Sequence, residues 1–187
     1  FDGVFRFSKL MGIIDNVDNS ILSNITTVKI RKDFTPTLSS STKYDIYFRN
    51  AIYNPHSGHE SVLTSTGFKI SGNNNEMFLD DDGKGNVRLF YLVSGIKTVE
   101  NATQGTIDYE TGQITLNSLD VASVSNIRGS ASSVIEIEVS PKSNDVVPVR
   151  DQILEIDVGN SIVNVNEDTF VGGSSEAGVG YTTSSSY

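Results

Sequence analysis

The chain has 187 residues, 37% of them hydrophobic, which suits one domain or one domain with a smaller appendage and rules out a disordered chain. Fourteen Lys and Arg face 23 Asp and Glu, a formal net charge of −9, so phosphate backbones and anionic lipid are repelled: no nucleic acid and no membrane are expected as partners. Cysteine is absent, which excludes disulfides, thiolate zinc sites and a Cys nucleophile. No apolar run approaches the roughly 20 residues of a membrane helix.

The opening FDGVFRFSKL carries neither an initiator Met nor a signal-peptide pattern. It reads as the start of the C-terminal piece of a longer protein. Behind it, Phe7, Leu10, Met11, Ile14, Val17 and Ile21 recur at helical spacing and share one apolar face. The Asp15–Asn16 pair and the Asp18–Asn19–Ser20 cluster interrupt that helix, and Asp18 is placed to cap a short second turn.

From Thr26 the period falls to two. Val28 and Ile30 alternate with Lys29 and Arg31. Tyr44, Ile46 and Phe48 alternate with Lys43, Asp45, Tyr47 and Arg49. The short Pro/Ser link TPTLSSS between these strands predicts that they pair with each other, antiparallel. GFKIS and NVRLFYLV follow as further strands, the second after an Asp/Gly turn. GTIDYETGQITLNS predicts a hairpin, with Gly112 supplying the positive φ of a tight reversal. SSVIEIEVSP alternates Ile135, Ile137 and Val139 with Glu136 and Glu138. DVVPVRDQILEIDV predicts a last strand or short helix, off-centre in any sheet because of Pro148. From about Gly159 the chain turns Gly/Ser-rich.

The expected fold is therefore α+β, mainly antiparallel β, with an N-terminal helical segment over 1–24, a β-rich domain over 25–158 and an extended polar Gly/Ser-rich tail over 159–187.

Two stretches invite a chemical reading. In YNPHSGH, both histidines of the chain, His56 and His59, stand beside Pro55 and Gly58 with Glu60 next. A zinc site wants three or four ligands, and no third histidine exists. Ser57 and Ser61 lie in no Gly-x-Ser-x-Gly elbow. A polar turn is the simpler reading. LDDDGKGN, with Asp80, Asp81 and Asp82 before two glycines, could cradle calcium, and counted from Asp80 both Asp82 and Gly85 fit an EF-hand loop. Lys84, however, falls at the fifth place and Tyr91 at the twelfth, where an EF-hand needs oxygen ligands. No catalytic residue, metal ligand or cofactor is assigned. A calcium-assisted binding or adhesion module stands as the alternative, and a hydrolase using His56 or His59 as a distant third.

The run IIDNVDNSILSNITTVKIRK resembles the helix-to-strand passage of baseplate wedge proteins of T-even-like contractile-tailed bacteriophages, relatives of the broader baseplate J family. YFRNAIYNPHSGH, STGFKI, FLDDDGKGNVRLFYLVSG, GTIDYETGQITLNS and SNDVVPVRDQILEID fit the same proteins. The resemblance implies a structural virion protein, not an enzyme, assembled in the host cytoplasm and located in the tail baseplate. It implies partners of two kinds: sister subunits, paired and joined into a ring around the tail hub, and other wedge subunits met through a helical bundle. It also implies that the ring changes shape when the tail contracts.

Independently of the resemblance, two segments are candidates for a partner interface. One is the helical face Phe7, Leu10, Met11 and Ile14. The other is Val149–Ile156, where Arg150 precedes the apolar Ile153, Leu154 and Ile156.

Overall fold

Alternation of buried and exposed side chains governs most of the chain, and the elements follow it. The computed structural model describes residues 3–148 and 153–166. Contacts divide the chain into two units, Phe1–Leu154 and Glu155–Tyr187. The first begins with one helix, α1 (Phe7–Asp15), followed by β1 (Ile30–Phe34), β2 (Thr42–Tyr47), β3 (Leu63–Ser65), β4 (Phe68–Ile70) and β5 (Met77–Asp81). It continues with β6 (Asn86–Val93), β7 (Ile96–Asp108), β8 (Gln113–Leu119), β9 (Val121–Val124) and β10 (Ile135–Val139).

The strands close into a barrel. β5 pairs β6, β6 pairs β7 and β7 pairs β8, all antiparallel. β9 continues β8 past a bend at Ser118, where φ is 48°. β9 then pairs β4, and β4 pairs β5, so with β8 and β9 joined through the chain the circuit of strands returns to its start. Closure removes the free edges within that ring. Irregular register between β6 and β7, on both sides of Leu89, marks a bulge where the sheet curves. Phe68, Met77, Leu79, Val87, Ile114 and Leu116 are buried inside, each worth about 1.5–3 kcal/mol in transfer free energy.

Four strands extend this ring, joined to it where β3 pairs β5 and where β2 pairs β8. β10 pairs β3 and carries β1 on its other side. The expected β1–β2 hairpin is therefore wrong: the two strands stand at opposite ends of the strand order. The link between them does not turn back. Pro36 is buried, and Ser39 N–H donates to the Val121 carbonyl at 2.8 Å, pinning the link onto β9. The edges of β1 and β2 find their partners in β10 and β8 instead.

The β7–β8 hairpin forms as its sequence predicts. Asp108 accepts from the Glu110 and Thr111 amides at 3.0 and 3.2 Å, and Gly112 has φ 67°. The face pattern of β2 also holds, with Ile46 and Phe48 buried and Lys43, Asp45 and Tyr47 exposed. In β10 the alternation fails at Glu136, which is buried because Arg31 and Arg128 cover its carboxylate at 3.1 and 3.2 Å.

The last expected element, over DVVPVRDQILEIDV, does not form among its described residues. Val146 makes only an isolated bridge to Phe5, and residues 149–152 lie outside the described residues. Ile153 to Asp157 is neither strand nor helix. Asp157 instead gathers a local turn, accepting from the Asn160 side chain at 2.6 Å.

Candidate assembly interface

Helix α1 has weak ends. No side chain caps its N-terminus, no acidic residue stands in its first turn and no basic one in its last. A nine-residue helix without such help is marginal alone, so its stability comes from packing. It stops at Asp15: the Asn16 backbone amide makes the last helical bond, to the Gly12 carbonyl at 3.2 Å, and the Asn16 side-chain amide folds back onto the same carbonyl. Asp18 then accepts from the Ser20 amide at 2.8 Å, closing the short turn the sequence predicts.

At its start the helix is tied to the segment after β10, and at its end to the run that follows it. The Phe7 amide donates to Asp145 at 2.9 Å, and Phe5 pairs with Val146. The Asn24 side chain donates to Asp15 at 2.5 Å. Phe7, Leu10, Met11 and Ile14 share one face and are half-buried. None of the four belongs to the barrel core or to the shell packed against it.

The apolar surface of α1 is wider than these four residues. At 100° per residue it runs from Ile13 to Met11, an arc of about 160°. A helix seated on one surface needs about 100°. The surplus edge is exposed: Ile13 at 65% and Val17, just past the helix, at 72%. Lys9, Gly12 and Asn16 complete an open strip around them. Leu22 is also exposed, and Ile25 fully so at 100%. Sequence reasoning passed over Ile13, Leu22 and Ile25. The width of the arc was the available signal for Ile13.

In the second candidate segment, Arg150 lies outside the described residues. Ile153 is 87% exposed, and Leu154 is exposed at the end of the first unit. Ile156, in the second unit, is exposed as well. A further apolar patch was not foreseen. Ser94 and Gly95, at φ 51° and 80°, form a two-residue turn that joins β6 to β7 and leaves Leu92, Val93 and Ile96 exposed at its tip. Two positive φ angles between apolar strand ends are the mark of a tight hairpin, and Ser-Gly was the sequence cue.

The carboxylates of Asp80–Asn86 are occupied by protein donors. Asp80 is buried and takes a bidentate bond from Arg88, at 3.0 and 2.7 Å, with Lys97 alongside. The bond to Asp80 keeps the Arg88 guanidinium still more firmly protonated than usual. Asp81, also buried, accepts from the Leu63 amide at 2.9 Å, the Gly83 amide at 3.2 Å and the Tyr109 hydroxyl at 2.8 Å. Burial first, then the bond to Asp81, pushes the Tyr109 phenol above its ordinary pKa. Asp82 accepts from the Lys84 and Asn86 amides at 2.8 and 2.9 Å, shaping the turn. A calcium ion would have to compete with two cations at Asp80, which weighs against the calcium-assisted alternative.

The YNPHSGH stretch is a loop. Its two imidazoles meet edge to face, 5.1 Å between centroids, beside Tyr53. Among the described residues no group of three or more His, Cys, Asp or Glu is placed to hold a metal, and no helix is long and apolar enough to cross a membrane.

These features describe a closed antiparallel barrel carrying, outside its core, a strapped amphipathic helix with an uncovered apolar edge. Residues 1–33 match the family described as baseplate structural protein gp6, C-terminal domain III. The match spans α1, the extended run after it and most of β1. It supports a structural protein of the phage baseplate, located in the virion tail and associated with other baseplate proteins. No curated protein and no solved structure matches the chain.

Proposed function

We propose that this chain is the C-terminal portion of a baseplate wedge subunit that works by interface geometry, without catalysis. The barrel is the rigid body. Helix α1 and the Val149–Ile156 segment dock on sister subunits or on other wedge subunits. Repetition of such contacts with a closing rotation yields a ring around the tail hub, and the ring rearranges when the tail contracts. The observation that carries this reading is the exposed Ile13–Val17 edge of α1, lying within the residues that match the baseplate family. A stable interface buries about 1,200–2,000 Å² in total, more than the edge of one short helix offers, so contacts made by the second segment or the β6–β7 tip add to those of α1.

The test is the oligomeric state by light scattering, alone and with candidate baseplate partners. Ile13→Asp with Val17→Asp is expected to abolish association while circular dichroism stays native, because both side chains are exposed. Met11→Asp with Ile14→Asp probes the half-buried face of the same helix. Full assembly by both double variants would place the interface elsewhere.

A further inference from the structure

We propose that His56 and His59 form a two-histidine clip for a divalent transition-metal ion of the zinc type. The two residues stand at the first and fourth positions of a β-turn closed by the His59 amide bonding to the His56 carbonyl at 3.1 Å. Gly58, at φ 84°, holds the third position, where a type II turn requires a positive φ. The turn places both rings on one side. It is fixed on the barrel by the Gly58 amide, which donates to the Gly83 carbonyl at 2.9 Å.

Three features point to a metal. First, His56 Nδ1 faces the Ser57 carbonyl at 3.3 Å, a contact that suits the tautomer with the proton on Nδ1 and leaves the Nε2 lone pair for a metal. Donation of the second ring N–H to a carbonyl is the usual support of a metal-ligating histidine. Second, that Nε2 stands 3.4 Å from His59 Nδ1. Without a metal this is a weak hydrogen-bond contact between the two rings. Two nitrogens each about 2.0–2.1 Å from a tetrahedral zinc are separated by about 3.3–3.4 Å. Third, the His59 ring is steadied at its edge by Tyr53, 5.4 Å between centroids.

The neighbouring charges are mixed. Glu60 is held by Arg88 at 3.3 Å, and the Lys84 side chain passes close to Gly58. Water therefore supplies the remaining ligands, and binding is weaker than at a closed structural site. Lewis-acid chemistry is not part of the proposal, which is independent of the assembly reading.

Zinc chloride titrated calorimetrically into the intact chain is expected to show one saturable site. Losing an outer-shell partner of a ligand costs 10–100-fold in affinity, so His56→Ala and His59→Gln should each weaken binding by about tenfold or more. In the unaltered chain, the imidazole proton resonances of both histidines should shift together as zinc is added. No saturable binding, binding unchanged in either variant, or a shift of only one imidazole would overturn the clip.

Discussion

The rings of Phe34 and Tyr44 pack at 5.0 Å between centroids, although their strands lie at opposite ends of the strand order. Phe34 ends β1, and Tyr44 lies in β2. The contact therefore joins the two outermost strands without a hydrogen-bonded ladder between them. The Tyr44 hydroxyl adds a bond from the Thr37 amide at 2.8 Å, tying down the link that crosses from one end to the other.

This pair can be separated into its parts. Tyr44→Phe removes only the hydroxyl bond and should cost about 1 kcal/mol, a fall in Tm of about 2–4 °C for a chain of this size. Combining Phe34→Ala with Tyr44→Ala should reveal a coupling of about 0.5–1.5 kcal/mol, the range of aromatic pairs. Additive losses in chemical denaturation would show that the two ends are held by the link alone.

Asp80 and Asp81 are adjacent in sequence and serve different structures. Asp80→Ala leaves Arg88 and Lys97 without their buried counter-ion and should cost about 3–5 kcal/mol. Asp81→Ala strands a hydroxyl and two amides, each an unmet group worth about 1–3 kcal/mol. Tyr109→Phe loses one of those bonds and should be the mildest of the three. Urea denaturation gives the order. Because Asp80 already faces two cations, millimolar calcium should leave Tm unchanged. A calcium-dependent rise that Asp82→Ala abolishes would revive the calcium module.

Acid should weaken the fold through its turn aspartates. At Asp82, burial pushes the carboxyl pKa up, but bonds from Asn86 and Lys84 outweigh it and the net shift is downward. Asp108 is likewise lowered, chiefly by Thr111. A depressed folded-state pKa contributes stability above the unfolded value, about 3.9, and loses it as pH falls through the folded one. Tm should thus decline as pH drops below about 4, and Asp82→Asn should flatten part of that decline. An unchanged pH profile in this variant would mean that the Asp82 turn opens without cost.

Local pattern alone determined a good deal of this protein. The period-two runs are strands because alternation buries one face of a pleated chain, which made β2, β6 and the β7–β8 hairpin legible, and the Asp/Asn cluster marked the end of α1 at Asn16. The apolar face of α1 was legible too, as was the loop nature of YNPHSGH. Pairing was not. Which edge meets which is a non-local choice, and TPTLSSS looks like a hairpin link until Pro36 is buried and Ser39 bonds to β9. Only the tertiary structure closed the barrel, because closure depends on β8 bending into β9 to reach β4. It also decided that Glu136 and Asp80 are buried, since strand pairing sets the cations against each carboxylate: Arg31 of β1 beside Arg128 at Glu136, and Arg88 of β6 beside Lys97 at Asp80. It alone set His56 and His59 at 3.4 Å, a distance fixed by the turn geometry around Gly58 and by the anchoring of that turn on Gly83.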